Sequence, residues 1–216
     1  MKYNIVFLLL SGLLIFSCKK DNSPSLQLPE DKGCIERIII PANTNASFSN
    51  AEYGVINSLF INNAVNKPNY RYFRSYTDNT NRWVHTTQYA NGLPIFNKDL
   101  NFHFNNGVFG SFSGYLTNGT TLNTKPTLSL PQLRKLFIDN AEQFEHKGLQ
   151  YKDSCLKAEF GYYDLNSGSG NTNEVLIKSW KVTLKSSVEP FEFPVAYYQD
   201  NNGLLIYYDN GIQTFR

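Results

Sequence analysis

The stretch from Gln88 to Leu116, QYANGLPIFNKDLNFHFNNGVFGSFSGYL, constrains the fold more than any other part of the chain. Leu100, Phe102 and Phe104 alternate with Asn101, His103 and Asn105. That period of two belongs to a strand with one buried and one wet face. Asn105-Asn106-Gly107 marks a hairpin turn, and Val108–Leu116 reads as the returning strand.

Around this hairpin the chain repeats one plan, a helix followed by several strands. Ser49-Asn50-Ala51-Glu52 is a capping box, in which the serine and glutamate side chains satisfy orphan amides of the first turn. Tyr53, Ile56, Phe60 and Ala64 follow at helical spacing until Pro68 stops the run. Strands are expected over Tyr70–Tyr76, Arg82–Tyr89, Leu93–Phe104 and Val108–Leu116. A second box, Ser129-Leu130-Pro131-Gln132, opens a helix whose apolar face is Leu133, Phe137, Ala141 and Phe144, with Gly148 as its stop. Strands then recur over Leu156–Leu165, Glu174–Lys185, Phe193–Tyr198 and Leu204–Tyr208. The fold class that follows is α+β, with a helix laid across an antiparallel sheet twice over.

The wording of these strands also resembles known families. NGLPIFNKDLNFHF and NNGVFGSFSGYL resemble the propeptide domain of fungalysin- and thermolysin-type metalloproteases. SWKVTL and AYYQDNNGLLIYYDNGI resemble the central strand and closing hairpin of a PepSY domain. The resemblance implies two tandem cystatin-like modules, each a helix packed on a curved antiparallel sheet. Their expected limits are 34–118 for the propeptide-like module and 119–216 for the PepSY-like one.

Ahead of them, Lys2 precedes an apolar run from Ile5 to Phe16, shorter than the ~20 residues that span a bilayer. Ser17-Cys18 after that run resembles a bacterial lipobox, so 1–17 is expected to be a signal peptide and Cys18 the site of lipid attachment. The other reading is a cleaved signal with an incidental cysteine. Residues 18–33 are polar, carry two prolines and suit a flexible tether. Their charges resemble the export signals of Bacteroidetes surface lipoproteins, and Lys19 after Cys18 favours the outer membrane or the cell surface. With Cys18 lipidated, Cys34 and Cys155 are left either as a disulfide or as two buried thiols.

A formal net charge of +2 with no basic stripe argues against nucleic acid as a partner. Three histidines, His85, His103 and His146, form no H-E-x-x-H, the helical pair that a zinc protease of the thermolysin type requires. His85, Asp99 and His103 form a weak metal candidate on neighbouring strands. Serines near glycines lack the strand-to-helix elbow of a nucleophile, and Gly168-Ser169-Gly170-Asn171 lacks the helix and lysine of a phosphate loop. Tyr70, Tyr72, Tyr76, Tyr197 and Tyr207 are candidate binding residues, because tyrosine joins rigid apolar area to a hydroxyl. Simple sheet packing is the commoner reason for such rows.

These readings converge on a non-catalytic envelope lipoprotein without a cofactor, anchored in a membrane through its lipid. Its propeptide-like module implies restraint of, or assistance to, a secreted protease, although no protease domain follows it in this sequence. The alternative is a surface adaptor or ligand-binding lipoprotein without any protease connection.

Overall fold

The computed structural model describes residues 33–42, 50, 54, 56, 58, 70–167, 173–188 and 192–212. The signal segment, Cys18 and most of the tether and first predicted helix lie outside them. Asn50, Gly54, Ile56 and Ser58 are helical, and Ile56 is fully buried. Residues 31–216 form one compact unit.

Among the described residues, nine strands make a single mixed sheet. They are β1 (Ile35–Ile38), β2 (Tyr70–Asp78), β3 (Asn81–Ala90), β4 (Leu93–Asn105), β5 (Val108–Ser113), β6 (Leu156–Asp164), β7 (Leu176–Leu184), β8 (Val195–Gln199) and β9 (Leu205–Asp209). Their order is β2-β3-β4-β6-β7-β8-β9, with β5 on β4 and β1 on β6. Most neighbours are antiparallel, but β1 and β4 each lie parallel to β6. Asn91-Gly92 (φ 50° and 75°) and Asn106-Gly107 (φ 49° and 77°) close the β3–β4 and β4–β5 hairpins in the left-handed backbone that matches strand twist.

Among the described residues, two α-helices follow β5. The first, α1 (Leu130–Glu145), starts where its capping sequence places it: the Gln132 side-chain oxygen accepts from the Ser129 amide at 2.9 Å and hydroxyl at 2.8 Å. It ends earlier than expected. His146, not Gly148, adopts the left-handed terminal conformation (φ 56°), and Gly148 opens the short helix α2 (Gly148–Tyr151). The Glu142 carboxylate accepts from the Gly148 amide at 2.9 Å, which ties the two helices together.

The helix and the sheet share one core: Leu133, Phe137 and Ala141 pack on Leu156, Ala158, Phe160, Trp180, Val182, Ala196 and Tyr198. Each such side chain contributes on the order of 1.5–3 kcal/mol by leaving water. A separate core under β2–β4 contains Ile56, Tyr70, Tyr72, Val84, Leu100, Phe102 and Phe104. Phe144, predicted on the buried stripe, is half exposed and stacks on Tyr208 at 5.2 Å.

Candidate functional site

The face of the sheet turned away from α1 carries the chemistry. In the alternation of β6 and β7, Leu156, Ala158, Phe160, Trp180 and Val182 point to the helix. Lys157, Glu159, Lys181 and Thr183 are therefore on the opposite side, paired as Lys157↔Thr183 and Glu159↔Lys181. Arg71 joins them from β2: its Nη1 lies 3.3 Å from Glu159 Oε1, and both side chains are 4% exposed. Glu192 bridges two lysines, with Lys157 Nζ at 2.6 Å from its Oε1 and Lys181 on its Oε2. A cavity of about 10 Å³ lies among Ile38, Lys157, Glu159, Lys181, Thr183 and Glu192, room for about one water.

Burial and partners set the charge states here. Burial alone would lower the pKa of Lys181, but Tyr197, Glu192 and Glu159 outweigh it and raise it. For Glu192, burial opposes charge and the two lysines overcome it, so its pKa falls. Burial pushes the Tyr197 phenol up to about 12. Asp99, on the same face of β4, accepts from Thr87 Oγ1 at 3.3 Å. Its burial raises it to about 6, because Thr87, Arg74, Arg71 and Lys181 only partly compensate.

Two aromatic groups flank this charged centre. Tyr197 meets Phe96 at 5.5 Å, Tyr163 at 5.4 Å and Tyr207 at 6.3 Å. At the far end of β2–β4, Trp83 is stacked between Tyr76 (5.6 Å) and His103 (5.1 Å). Tyr76, Trp83 and His103 stand face to face across neighbouring strands, whereas the rings around Tyr197 are tilted against it.

The five candidate tyrosines do not form one surface. Tyr70 and Tyr72 are buried in the β2–β4 core, whereas Tyr76 lies on the opposite face with 61% exposure. The cause is a bulge at Phe73: Tyr72 pairs with Thr86 but Arg74 with His85, so even-numbered positions change sides. Tyr197 and Tyr207 do meet, on the charged face.

His85, Asp99 and His103 occupy successive rungs of that face, paired with Asn101, Thr87 and Trp83. Each is engaged separately. His103 Nε2 lies 3.0 Å from Asn81 Oδ1, while burial and Arg74 lower the pKa of His85. Among the described residues no group of three His, Cys, Asp or Glu side chains could hold a metal ion.

Cys34 and Cys155 are joined in a disulfide with their Cα atoms 4.4 Å apart. Arg134, buried on α1, donates to the carbonyls of Cys34 (3.2 Å), Ser154 (2.9 Å) and Lys152 around that bond. Sequence reasoning missed Arg134, Arg71 and Glu159. A charged residue inside an apolar helix stripe or on a strand's buried stretch was the available signal, but nothing in the sequence names a partner 88 positions away.

The model of the fungalysin/thermolysin propeptide motif matches residues 74–116, which run from within β2 past the end of β5. Comparison with curated proteins gives no match. Among solved structures, the Bacillus megaterium YpeB C-terminal domain is similar with 13% identity and a TM-score of 0.41, over 80% of this chain and 69% of that one.

Proposed function

We propose that this protein is a non-catalytic binding module of the cell envelope that restrains or assists a secreted protease. The observation that carries this reading is the propeptide motif over 74–116, which coincides with a continuous meander of strands. On this reading 34–118 and 119–216 are cystatin-like modules, propeptide-like and PepSY-like, fused through a shared sheet. The lipobox-like Ser17-Cys18 supports a lipid anchor at Cys18, with the tether 18–33 carrying the modules away from an outer-membrane or cell-surface attachment. The Cys34–Cys155 disulfide accords with an oxidising compartment.

The test is a titration of the purified protein against secreted metalloproteases of the thermolysin type. Slower peptide hydrolysis, or a faster recovery of activity when the protease is refolded in its presence, is the expected result. Neither effect, together with no complex at micromolar concentration, rejects the protease connection. Recovery of a non-protease partner by crosslinking on intact cells would then favour an adaptor.

A further inference from the structure

The sequence contains five Asn-Gly steps, at Asn91, Asn106, Asn118, Asn202 and Asn210. Asparagine before glycine is the pair most open to cyclisation, because glycine leaves its backbone nitrogen unshielded beside the asparagine side-chain carbonyl. The fold restrains four of the five. Asn91 and Asn106 hold the left-handed backbone of tight hairpins, and their Nδ2 atoms donate to Thr120 O and to Asn105 Oδ1, each at 3.0 Å. Asn202 Oδ1 accepts from the Leu204 amide and Asn210 Oδ1 from the Ile212 amide, each at 2.9 Å. The glycine amides that follow these two are also held: Gly203 N donates to Gln199 O at 2.9 Å and Gly211 N to Asp209 Oδ1 at 2.8 Å.

Asn118 differs. It is exposed in the segment between β5 and α1, and among the described residues no hydrogen bond holds its side chain. It lines an open groove of about 680 Å³ with Asn91, Thr120, Leu122, Glu174 and Leu176, so water reaches it. The Gly119 amide donates to Thr117 Oγ1 at 3.1 Å, and that hydroxyl donates to Glu174 Oε1 at 3.0 Å. Thr117 is 6% exposed and the Glu174 side chain 7%, with Lys98 on the other carboxylate oxygen. A proton leaving the Gly119 nitrogen therefore has a fixed acceptor with a carboxylate behind it.

We propose that Asn118-Gly119 is a self-modifying site, where the asparagine converts to aspartate or isoaspartate. The Gly119 nitrogen attacks Cγ of Asn118 as its proton passes to Thr117 Oγ1 and the hydroxyl proton passes on to Glu174. A bond forms between Gly119 N and Asn118 Cγ. The bond from Cγ to Nδ2 then breaks, and ammonia leaves with the proton that the relay returns. Water opens the resulting five-membered imide: cleavage between Cγ and N gives aspartate, and cleavage between the backbone carbonyl carbon and N gives isoaspartate. Water enters and ammonia departs, so no oxidant or cofactor is needed. Thr117 is the catalytic residue, and Glu174 acts through it as a positioning residue. Either product puts a carboxylate in the groove that Glu174 lines. Isoaspartate also lengthens the backbone just ahead of Thr120 and Leu122, whose carbonyls hold Asn91. The inference does not depend on the identity of any partner.

Ageing of the full-length protein in mildly alkaline buffer tests it, followed by peptide mapping for the gain of about 1 Da that conversion of amide to acid brings. Asn118 is expected to convert first among the five in the folded protein, whereas in urea all five should convert at similar rates. Thr117→Val should slow conversion at Asn118 by about tenfold or more, and Thr117→Ser should restore it. A hydrogen bond that merely stiffened the segment would have the opposite effect, since its loss would free Asn118 and speed the reaction. Faster conversion at another Asn-Gly step of the folded protein would overturn the proposal. So would a ranking that persists in urea, an unchanged or raised rate in Thr117→Val, or a Thr117→Ser rate no higher than that of Thr117→Val.

Discussion

The indole Nε1 of Trp180 donates a 2.9 Å hydrogen bond to Oδ1 of Asp200, and neither side chain is more than 1% exposed. Asp200 also accepts from the amides of Thr127 (2.8 Å) and Leu128 (3.1 Å) and pairs with Lys178 at 3.1 Å. One carboxylate thus pins the β8–β9 turn, the strand β7 and the segment leading into α1.

Asp200→Ala should therefore be among the most damaging substitutions, at about 3–5 kcal/mol, because it strands several buried donors at once. Burial alone would raise the Asp200 pKa, but the donors outweigh it and lower it. A depressed carboxylate stabilises the fold above its unfolded pKa of about 3.9, and the contribution is lost as pH falls through the folded value. Urea melts should thus show Asp200→Asn well below wild type at neutral pH, with the gap narrowing in acid. A constant gap would mean that charge is not what holds the site.

Removal of the Cys34–Cys155 bond, which links residues 121 positions apart, should cost up to ~4–5 kcal/mol in the chain-entropy account. Arg134→Met should cost about 2–3 kcal/mol, since the carbonyls of Cys34, Lys152 and Ser154 lose their shared donor. Both devices hold β1 against β6, so their effects should be less than additive. A double-mutant cycle by chemical denaturation reads the coupling directly. Strict additivity would show that the guanidinium and the disulfide act on separate segments.

Gly161→Ala probes the junction between β4 and β6. The new Cβ would lie 2.5 Å from the Pro94 carbonyl oxygen and 2.8 Å from the Phe96 ring. Backbone on one side and a packed ring on the other leave little room to yield, so the expected loss is about 1–3 kcal/mol. Thermal melts measure it. A neutral outcome would mean that β4 can shift away from β6 without cost.

Much of this architecture was legible because it is local. Alternation located eight strands to within a few residues, and the Ser129/Gln132 pair fixed the start of α1. The strand β1 escaped because Ile35-Glu36-Arg37-Ile38 is short and does not alternate; it is a strand only because Leu156–Glu159 lies alongside it. The bulges were equally hidden. Phe73 in β2, Gly110 in β5 and Ile206 in β9 each interrupt the register of an edge strand. Such interruptions twist an edge away from unwanted pairing, and they depend on the partner strand rather than on composition. For the charged face, nothing in the alternation shows that Arg71 closes over Glu159 or Glu192 over Lys181.

The Arg71–Glu159 pair separates two roles that a buried ion pair can play. Arg71→Met alone leaves the Glu159 carboxylate, 4% exposed, without that guanidinium, and should cost about 3–5 kcal/mol. Arg71→Met with Glu159→Leu removes both charges and supplies apolar volume, so global stability by urea denaturation should return to within about 1–2 kcal/mol of wild type. The double variant also takes one cation away from Asp99 and leaves Lys181 without the favourable charge of Glu159. If the pair serves register rather than stability, amides of β2 in the double variant should exchange faster than in wild type while the urea midpoint stays nearly unchanged. Equal protection in both proteins would assign the pair no role beyond filling space.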